Sequence, residues 1–323
     1  MSILIPTYNR PEYLEEALQS ALAQTYENIE ILICDNSEDG RTQLMVDYYQ
    51  TVLGPSRIKY IKNDTNIGPA ANQLKCCTLA SGEYINYLMD DDLLHPEKIK
   101  RMAHYLNTRS EVSLVTSRKK IIDSDGKLVR LSPRKIPFAV PDGEAAFIKG
   151  QSAIEALLQT RHNYIGEPTT VLFRKSSLQE PFGSFCGSRA LNNVDVATWL
   201  SLLASGDMVY IGEPLSSFRK HPNQISKSTL SKMAELCDWI DHTVQARKRG
   251  LFQDEARWRK TLLRLSREAA EYFPKWNKKT NYMFNEELMS RAKLLAGFCR
   301  EEKELQEAFD SLNRLHSRRV GPR

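Results

Sequence analysis

The sequence predicts an α/β fold, with a mostly parallel central sheet flanked by helices, followed by an all-helical C-terminal extension. Short apolar runs alternate with stretches of helical spacing through the first half of the 323 residues, a pattern typical of βαβ units. Polar residues directly follow three of these runs, and after about Ser226 only helical spacing recurs. We therefore predict an α/β domain over residues 1–226 and a helical region over residues 227–323.

The first four predicted strands are short apolar segments, each followed by a helical pattern. The run Ser2–Ile5 stops at Pro6, which cannot donate to a strand ladder, and Pro11 suits the first turn of the next helix. The run Ile29–Cys34 is typical of a strand buried on both faces. The predicted strands are residues 2–5, 29–34, 57–61 and 83–89, and the predicted helices are residues 11–24, 39–53, 68–80 and 96–107.

The rest of the α/β domain has less regular patterns. Residues 112–131 are predicted to form a hairpin around the Ser124-Asp125-Gly126 turn, and the Pro- and Gly-rich residues 132–150 a loop over the ligand site. Further predictions are helices at 151–160 and 193–205, a strand at 169–173, a loop at 178–191 and two extended segments at 208–218. Beyond Ser226 the hydrophobic spacing predicts about four helices.

The composition is that of an ordinary globular protein, with 41% hydrophobic and 26% charged residues. No apolar stretch approaches the roughly 20 residues of a membrane span. The segment Ser2–Pro6 has the pattern of a first strand and not of a signal peptide, so the expected compartment is the cytoplasm. The six cysteines lack metal-ligand spacing, and we expect them to be reduced and mostly buried.

The net charge of +5 is unevenly distributed along the chain. Residues 226–323 hold 21 Lys and Arg against 14 Asp and Glu, a balance of +7, which leaves −2 for residues 1–225. A solvated helical surface is the simpler interpretation. The sharper one is attraction of basic C-terminal helices to anionic headgroups, at the inner face of a membrane, or to an acidic partner. No nucleic-acid recognition motif accompanies the charge, so no nucleic-acid partner is predicted.

Polar residues that follow the predicted strands should meet at one edge of the sheet, where open α/β sheets bind ligands. Three adjacent carboxylates at the end of an apolar strand repel one another and are tolerated most easily around Mg²⁺ or Mn²⁺. Such a cation could neutralise a diphosphate leaving group. Alternatively, Asp92 could cap the following helix, although a cap needs only one Asp. The three polar clusters are Thr7, Tyr8 and Asn9, then Asp35, Asn36 and Ser37, then Asp90, Asp91 and Asp92.

Other positions carry weaker signals, each with a plain structural alternative. Asp35 could accept a hydrogen bond from a nucleobase or a ribose, or could simply belong to a turn. Asp195 could act as a general base toward a hydroxyl, or could serve the positive N-terminus of a helix. Arg219 and His221 could bind a diphosphate or complete a metal shell, or could form a polar exit loop.

Several enzyme signatures are missing from the sequence. There is no G-x-x-x-x-G-K-[ST] phosphate loop and no G-x-G-x-x-G after the first strand. Their absence argues against P-loop NTPases and dinucleotide oxidoreductases. There is no G-x-S-x-G nucleophile elbow either.

Several segments resemble, in order, the motifs of glycosyltransferase family 2. The resemblance covers about residues 1–226 and implies a GT-A fold, which is Rossmann-like, a nucleotide-sugar donor and an inverting mechanism. A base would then act on the acceptor and a metal on the leaving diphosphate. The segments are Ile3–Tyr26, Ile29–Ser37, Asn66–Asn72, Gly82–Pro96, Val194–Leu203 with Gly206, and Ile211–His221.

The resemblance also implies roles for individual residues. Asp195 corresponds to the catalytic base, and Asp35 to the base-binding carboxylate of the nucleotide pocket. Two departures are Met89 and Val194, which stand where the family often has acidic residues. The implied ligands of Mn²⁺ or Mg²⁺ are Asp91, Asp92 and His221, and the implied nucleotide-sugar contacts are Pro6, Thr7, Tyr8, Asn9, Asp35, Asn66, Asn72, Asp90 and Arg219.

The sequence therefore predicts a metal-dependent hexosyl- or N-acetylhexosaminyltransferase of polysaccharide biosynthesis. Its donor would be a nucleotide-sugar, with a UDP-sugar favoured, and its acceptor a glycan, a lipid-linked saccharide or a protein. The alternative is a non-catalytic nucleotide-sugar binding module with a partner-binding helical tail. A sugar nucleotidyltransferase is a third hypothesis, but it needs a Gly-rich loop after the first strand. The helical region is expected to bind the acceptor, a membrane surface or a second subunit, as in a homo-oligomer.

Overall fold

The computed structural model describes residues 1–54, 57–132, 136–140, 143–222 and 229–272. Within these ranges the helices are α1 (Pro11–Leu22), α2 (Arg41–Leu53), α3 (Pro69–Leu79), α4 (Lys98–Thr108), α5 (Gly150–Thr160), α6 (Val194–Ser205), α7 (Thr229–Lys248) and α8 (Glu255–Tyr272). The strands are β1 (Ser2–Thr7), β2 (Glu30–Asp35), β3 (Ile58–Lys62), β4 (Tyr84–Tyr87), β5 (Leu93–Leu94), β6 (Val112–Ile122), β7 (Leu128–Leu131), β8 (Ala145–Ile148), β9 (Leu172–Arg174), β10 (Ser184–Phe185), β11 (Ser188–Arg189) and β12 (Asp207–Arg219).

The main sheet has the spatial order β3-β2-β1-β4-β9-β6-β12-β5. Strand β1 lies between β2 and β4 and runs parallel to both. All six residues of β1 are buried, as expected for a parallel strand covered on both faces by helices. The predicted strands and helices of residues 1–108 are confirmed, with boundaries that shift by at most two residues.

The second half of the sheet mixes strand directions. Strand β9 runs antiparallel to β4 and β6, whereas β6 and β12 are parallel. Strand β5, directly after the acidic triplet, pairs antiparallel with the end of β12. This pairing brings the residues that follow β12 next to the acidic triplet, a proximity that no local sequence pattern indicates.

Some predictions for this half were wrong. Residues 132–150 are not a single loop over the ligand site, because β8 lies within them and pairs with Met208–Ile211 at the start of β12. Residues 208–218 belong to one long strand, whose register shifts around Pro214, because a proline cannot donate to the ladder and requires a bulge. The predicted loop at 178–191 contains the short hairpin β10–β11. The hairpin at 112–131 is confirmed.

Helices α7 and α8 share a hydrophobic core with the α/β domain. Their buried apolar side chains belong to the same cluster as Trp199 of α6 and Leu157 of α5. The boundary at residue 226 therefore stays a prediction, and the helices predicted around residues 288–299 and 305–312 lie outside the described residues. Among the helices of the described ranges, none has the length and apolar character needed to cross a membrane. The shared core residues of α7 and α8 include Leu236, Trp239, Ile240, Trp258, Leu262 and Leu265.

Candidate active site

The carboxyl ends of β1, β2 and β4 lie side by side and bring the three predicted polar clusters together. The register of the sheet places Thr7 beside Asp35. The Thr7 hydroxyl donates a hydrogen bond to Asp90 Oδ2 at 2.8 Å, and the Tyr8 backbone N–H approaches the same oxygen at 3.4 Å. Asp90, which follows β4, is therefore held against the end of β1 by Thr7 and Tyr8.

The loop after β1 is tied to the loop after β2. Pro6 is buried within β1, whereas Tyr8 is 41% exposed and its hydroxyl lies 3.2 Å from Glu38 Oε1. Asn9 has a left-handed φ of 51°, a conformation that Asn tolerates better than most residues. Its N–H donates to Ser37 Oγ at 2.8 Å. The Tyr8 ring is thus an accessible flat surface at the edge of the site.

Asp35 ends β2 and is fully buried. Its Oδ1 accepts the backbone N–H of Ser37 at 2.7 Å. Its Oδ2 accepts the Tyr60 hydroxyl at 2.7 Å, and Lys62 Nζ lies 3.4 Å away. Burial, together with Asp35, raises the pKa of Tyr60, so this hydroxyl stays a donor. A nucleobase would reach Asp35 most easily by replacing Lys62, the most distant of the three partners.

The two predicted asparagines lie at different depths. Asn72 is buried in α3, where its Nδ2 donates to the Cys34 carbonyl at 2.8 Å and its Oδ1 accepts from Asn63 at 2.9 Å. Asn66 is exposed, and its Oδ1 accepts the Gly68 N–H at 2.9 Å. Both side chains thus shape the backbone around the end of β2, and their contact with a donor stays a prediction.

Residues 90–92 form the turn between β4 and β5, and their side chains point in different directions. Arg10 Nη1 lies 3.4 Å from Asp90 Oδ1 and 3.2 Å from Asp91 Oδ2. Asp92 faces the interior, where Oδ2 accepts the Thr169 hydroxyl at 2.6 Å and Oδ1 accepts the backbone N–H of residue 219 at 3.0 Å. Asp90 and Asp91 are therefore directed toward Arg10, whereas Asp92 is directed into the protein interior.

Burial opposes ionisation in this turn. It raises the pKa of Asp90 to about 6, with repulsion from Asp91 as the second cause, while Arg10 and Thr7 act in the opposite direction. The same two causes raise the pKa of Asp92 to about 7. A bound divalent cation would favour the ionised forms of these carboxyl groups.

The residues at and after the end of β12 contact the acidic turn directly. Arg219 is fully buried, and its Nε donates to the Asp91 carbonyl at 2.8 Å. Its two terminal nitrogens donate to Ser124 O at 2.9 Å and to Glu16 Oε2 at 2.6 Å. Arg219 therefore clamps the turn, and a diphosphate would have to replace these partners. His221 Nε2 lies 3.0 Å from Asp91 Oδ2, in a side chain that is 3% exposed.

Asp91 and His221 are the pair that best fits a divalent cation. A carboxylate oxygen and an imidazole nitrogen 3.0 Å apart are both suitable ligands for Mn²⁺. In the part of the chain that the structure describes, no group of three or more His, Cys, Asp or Glu side chains has a metal-binding arrangement. Cations that bridge to substrate phosphates often take only one or two protein ligands, with phosphate and water as the others. The pair therefore fits a metal shared with a donor diphosphate.

Asp195 lies in the first turn of α6 and is oriented by two hydrogen bonds. Its Oδ1 accepts the Val196 N–H and its Oδ2 accepts Asn163 Nδ2, both at 2.8 Å. Burial raises the pKa of Asp195 to about 6, and Glu235 acts in the same direction, whereas the backbone N–H groups and Lys119 oppose the shift. A carboxylate whose pKa lies near the working pH is suited to general-base catalysis.

Lys119 of β6 interacts electrostatically with both Asp92 of the acidic turn and Asp195 of α6. Its ammonium group is paired with Glu167 and lies 5.1 Å from the centroid of the Phe218 ring. Burial lowers its pKa to about 8, while Asp92 and Asp195 both oppose that shift. Lys119 thus places a positive charge within range of the acidic turn and of α6.

Sequence reasoning missed five side chains of this site. Arg10 directly follows the Thr7–Asn9 cluster, and Tyr60 and Lys62 lie at the end of a predicted strand, so the strand-end rule could have found them. Lys119 and Asn163 carry no such signal. Lys119 lies within a long strand, and Asn163 belongs to a loop that approaches α6 only in the folded chain.

A comparison with models of known protein families identifies the family of this chain. The model of glycosyl transferase family 2 matches residues 2–182. The chain belongs to glycosyltransferase family 2. Its mostly parallel sheet flanked by helices is that of the GT-A fold. The resemblance to this family that the sequence motifs indicated is therefore confirmed.

The curated relatives that align with most of this chain are distant in sequence. An uncharacterized glycosyltransferase of Rickettsia typhi, RT0329, is 26% identical over 303 residues, which are 93% of this chain and 87% of that protein. Protein CgeD of Bacillus subtilis is 25% identical over 252 residues, which are 74% of this chain. The chain spans about half the length of CgeD, with 54% covered.

Solved structures extend the likeness of fold over nearly the whole chain. S. aureus TarS, residues 1–349, has a TM-score of 0.62 at 16% identity and covers 99% of this chain, with 91% of TarS 1–349 covered in turn. The mannosyltransferase PcManGT of Pyrobaculum calidifontis, in complex with GDP-Man and Mn²⁺, has a TM-score of 0.53 at 15% identity, with 97% and 85% covered. At these identities the comparison establishes the fold alone.

Proposed function

We propose that this glycosyltransferase moves a sugar from a nucleotide-sugar, with a UDP-sugar favoured, to a hydroxyl of a glycan, a lipid-linked saccharide or a protein. The observation that carries the proposal is the convergence of three strand ends. Thr7 bonds to Asp90, and Asp91 lies against His221, while Lys119 lies within electrostatic range of both the acidic turn and Asp195. Hexosyl or N-acetylhexosaminyl transfer in polysaccharide biosynthesis is the finer form of the proposal.

The reaction is a single displacement at the anomeric carbon. The acceptor oxygen attacks the anomeric carbon while the bond between that carbon and the β-phosphate oxygen breaks. The nucleoside diphosphate leaves with the bonding electrons. Asp195 accepts the hydroxyl proton, since a carboxyl group with a pKa of about 6 is ionised at neutral pH. Attack opposite the leaving group inverts the anomeric configuration.

Asp91 and His221 would hold Mn²⁺ or Mg²⁺. When bound, the cation neutralises charge on the leaving diphosphate. Arg219 keeps the turn in place through its bond to the Asp91 carbonyl, and Asp90 and Asp35 lie at the strand ends where a nucleoside would bind. Support for such ligands comes from fold neighbours, since TarS is described with UDP-GlcNAc and PcManGT with GDP-Man and Mn²⁺.

The first experiment measures nucleoside diphosphate released from UDP-, GDP- and dTDP-sugars, with Mn²⁺ and then with EDTA. We expect release from one donor, lost in EDTA, because Arg10 and Arg219, the cations that contact the acidic turn, are already paired with protein acceptors. A divalent cation would therefore be needed to neutralise the leaving diphosphate. Release that is unaffected by EDTA would contradict the metal role. Failure of every nucleotide to bind would contradict the site itself.

The second experiment replaces Asp195 by Asn, with Asp47→Asn as the matched control. Asp47 is an exposed residue of α2. We expect Asp195→Asn to lower kcat by at least a hundredfold while the Kd for the nucleoside diphosphate stays within twofold, because the variant removes the proton acceptor but no strand-end contact. Full turnover in the variant would exclude Asp195 as the base.

A non-catalytic nucleotide-sugar binding module is the other candidate. It would bind the nucleoside diphosphate without transferring sugar to any acceptor. The raised pKa and two-point orientation of Asp195 favour the enzyme. The proposal also includes contact of the basic C-terminal helices with the inner face of a membrane, which vesicle binding would test. It further includes a homo-oligomer, which sedimentation would test.

A further inference from the structure

A buried carboxylate of the helical region holds the segment that leads into α6. Asp238 of α7 has no exposed surface. Its Oδ1 accepts the N–H of Leu191 at 2.9 Å, and its Oδ2 accepts the N–H groups of Asn192 and Asn193, both at 2.8 Å. Three consecutive backbone donors are thus bound by one side chain from a helix 45 residues or more away along the chain.

Two further contacts join α7 to the same segment. The Ser231 hydroxyl donates to Asn192 Oδ1 at 2.9 Å, and Asn193 Nδ2 lies 3.4 Å from the Glu235 carbonyl. Asn193 is the N-cap residue of α6, yet its side chain makes no capping hydrogen bond within α6. The start of α6 is therefore defined from outside, by α7.

The position of this contact matters because Asp195 is only two residues beyond Asn193. One Asp195 oxygen is bound by the backbone of α6 itself, at Val196. A displacement of the first turn of α6 would therefore carry the carboxylate with it. A misplacement of about 1 Å in a reacting group can lower the rate about a hundredfold.

Hydrogen bonds to a charged acceptor are the strong ones in proteins. A buried carboxylate without such partners would be costly, so the three N–H groups and Asp238 hold each other in place. On this basis we propose that Asp238 is a positioning residue, which fixes the first turn of α6 so that Asp195 faces the acceptor. Helix α7 is then part of the catalytic unit, and is not merely an acceptor- or membrane-binding appendage.

This inference rests on the proposed function, because it assumes that Asp195 is the base. The test compares Asp238→Asn with Asp241→Asn in the full-length protein. Asp241 is also buried, lies one turn further along α7, and accepts a hydrogen bond from Gln245 of its own helix. Each variant is assayed for kcat, for the KM of the donor that the release panel identifies, for UDP affinity by calorimetry and for thermal unfolding.

We expect Asp238→Asn to lower kcat ten- to a hundredfold, because its amide NH₂ would face backbone N–H groups. The donor KM and the UDP Kd should stay within twofold, since the nucleotide contacts lie at the ends of β1, β2 and β4. Asp241→Asn should keep kcat within twofold. Unchanged kcat in Asp238→Asn, or a loss of kcat that only follows the unfolded fraction, would overturn the proposal.

If Asp238→Asn does not fold, Asp238→Glu asks the same question with the charge retained. The extra methylene displaces the carboxylate, so we expect kcat to fall at least fivefold with UDP binding unchanged, and full kcat would overturn the proposal. The two hypotheses fail separately. Turnover that survives Asp195→Asn contradicts the base assignment, whereas an inactive Asp195→Asn with a fully active Asp238→Asn contradicts only the positioning role.

Discussion

Replacing Asp195 by Asn is expected to stabilise the folded protein at alkaline pH, while it abolishes sugar transfer. Burial raises the pKa of this carboxyl group from 3.8 to about 6. When the folded-state pKa is the higher one, the group favours folding fully below the unfolded pKa, and this contribution is lost as the pH rises from about 4 through 6. An uncharged amide avoids that loss.

The magnitude follows from the size of the pKa shift. A change of about two units corresponds to about 3 kcal/mol of unfolding free energy at pH 8, and the partial exposure of Asp195 reduces this to about 2 kcal/mol. The amide of Asn resembles the protonated carboxyl group, because its oxygen can serve only one of the two donors, Asn163 and the Val196 N–H, and the loss of the other is already part of the pKa shift. The variant should therefore be about 2 kcal/mol more stable at pH 8 and within about 0.5 kcal/mol of the parent protein near pH 4.

Urea unfolding at pH 8 and pH 4 measures this pH dependence directly. Divalent cations are omitted, so that binding to the acidic turn does not contribute. The exposed residue Asp47 again supplies the control, and Asp47→Asn should change the unfolding free energy by less than about 0.5 kcal/mol at both pH values. The reasoning is refuted if Asp195→Asn has the same effect on stability at both pH values.

Two other predictions concern Asp195 and Gly166, a glycine that is hydrogen-bonded to Asn163, the partner of Asp195. With saturating Mn²⁺, kcat/KM should fall about tenfold per pH unit below about pH 6 as Asp195 is protonated, and a rate profile that is flat to pH 5 would argue against a carboxylate base. Gly166→Ala should lower the unfolding free energy by about 3 kcal/mol, because φ is +106° and the new Cβ would lie 2.5 Å from Thr170 Oγ1. Gly187→Ala, with φ of +79° and no atom within 4 Å of the Cβ, should lose only about 1 kcal/mol, and equal losses in urea titrations would exclude the steric explanation.

The order of strands and helices in the first 108 residues could be predicted because it is written in local periodicity. Each apolar run of β-rich residues and each helical stripe buries its own face, and Pro6 and Pro11 mark boundaries for steric reasons. The convergence of Thr7 with Asp90 was also predictable, since parallel strands present their carboxyl ends at one edge. The family follows from these motifs.

The directions in which the side chains of the acidic turn point could not be predicted from local sequence patterns. The triplet at residues 90–92 looks uniform in sequence, yet Asp92 turns inward to Thr169 and Asp91 outward to His221. That difference arises because β5 pairs with β12, a contact between segments more than 120 residues apart. The same pairing gives Arg219 its buried partners.

The sequence by itself thus determined the elements of the α/β domain, the family and the set of candidate residues, because short-range spacing and motif order carry that information. The tertiary structure alone decided which carboxylate of the acidic turn lies against His221, how Asn163 orients Asp195, and that Asp238 of α7 holds the start of α6. These are contacts between distant segments. Their geometry is set by packing and hydrogen bonding in the folded chain, which no local pattern encodes.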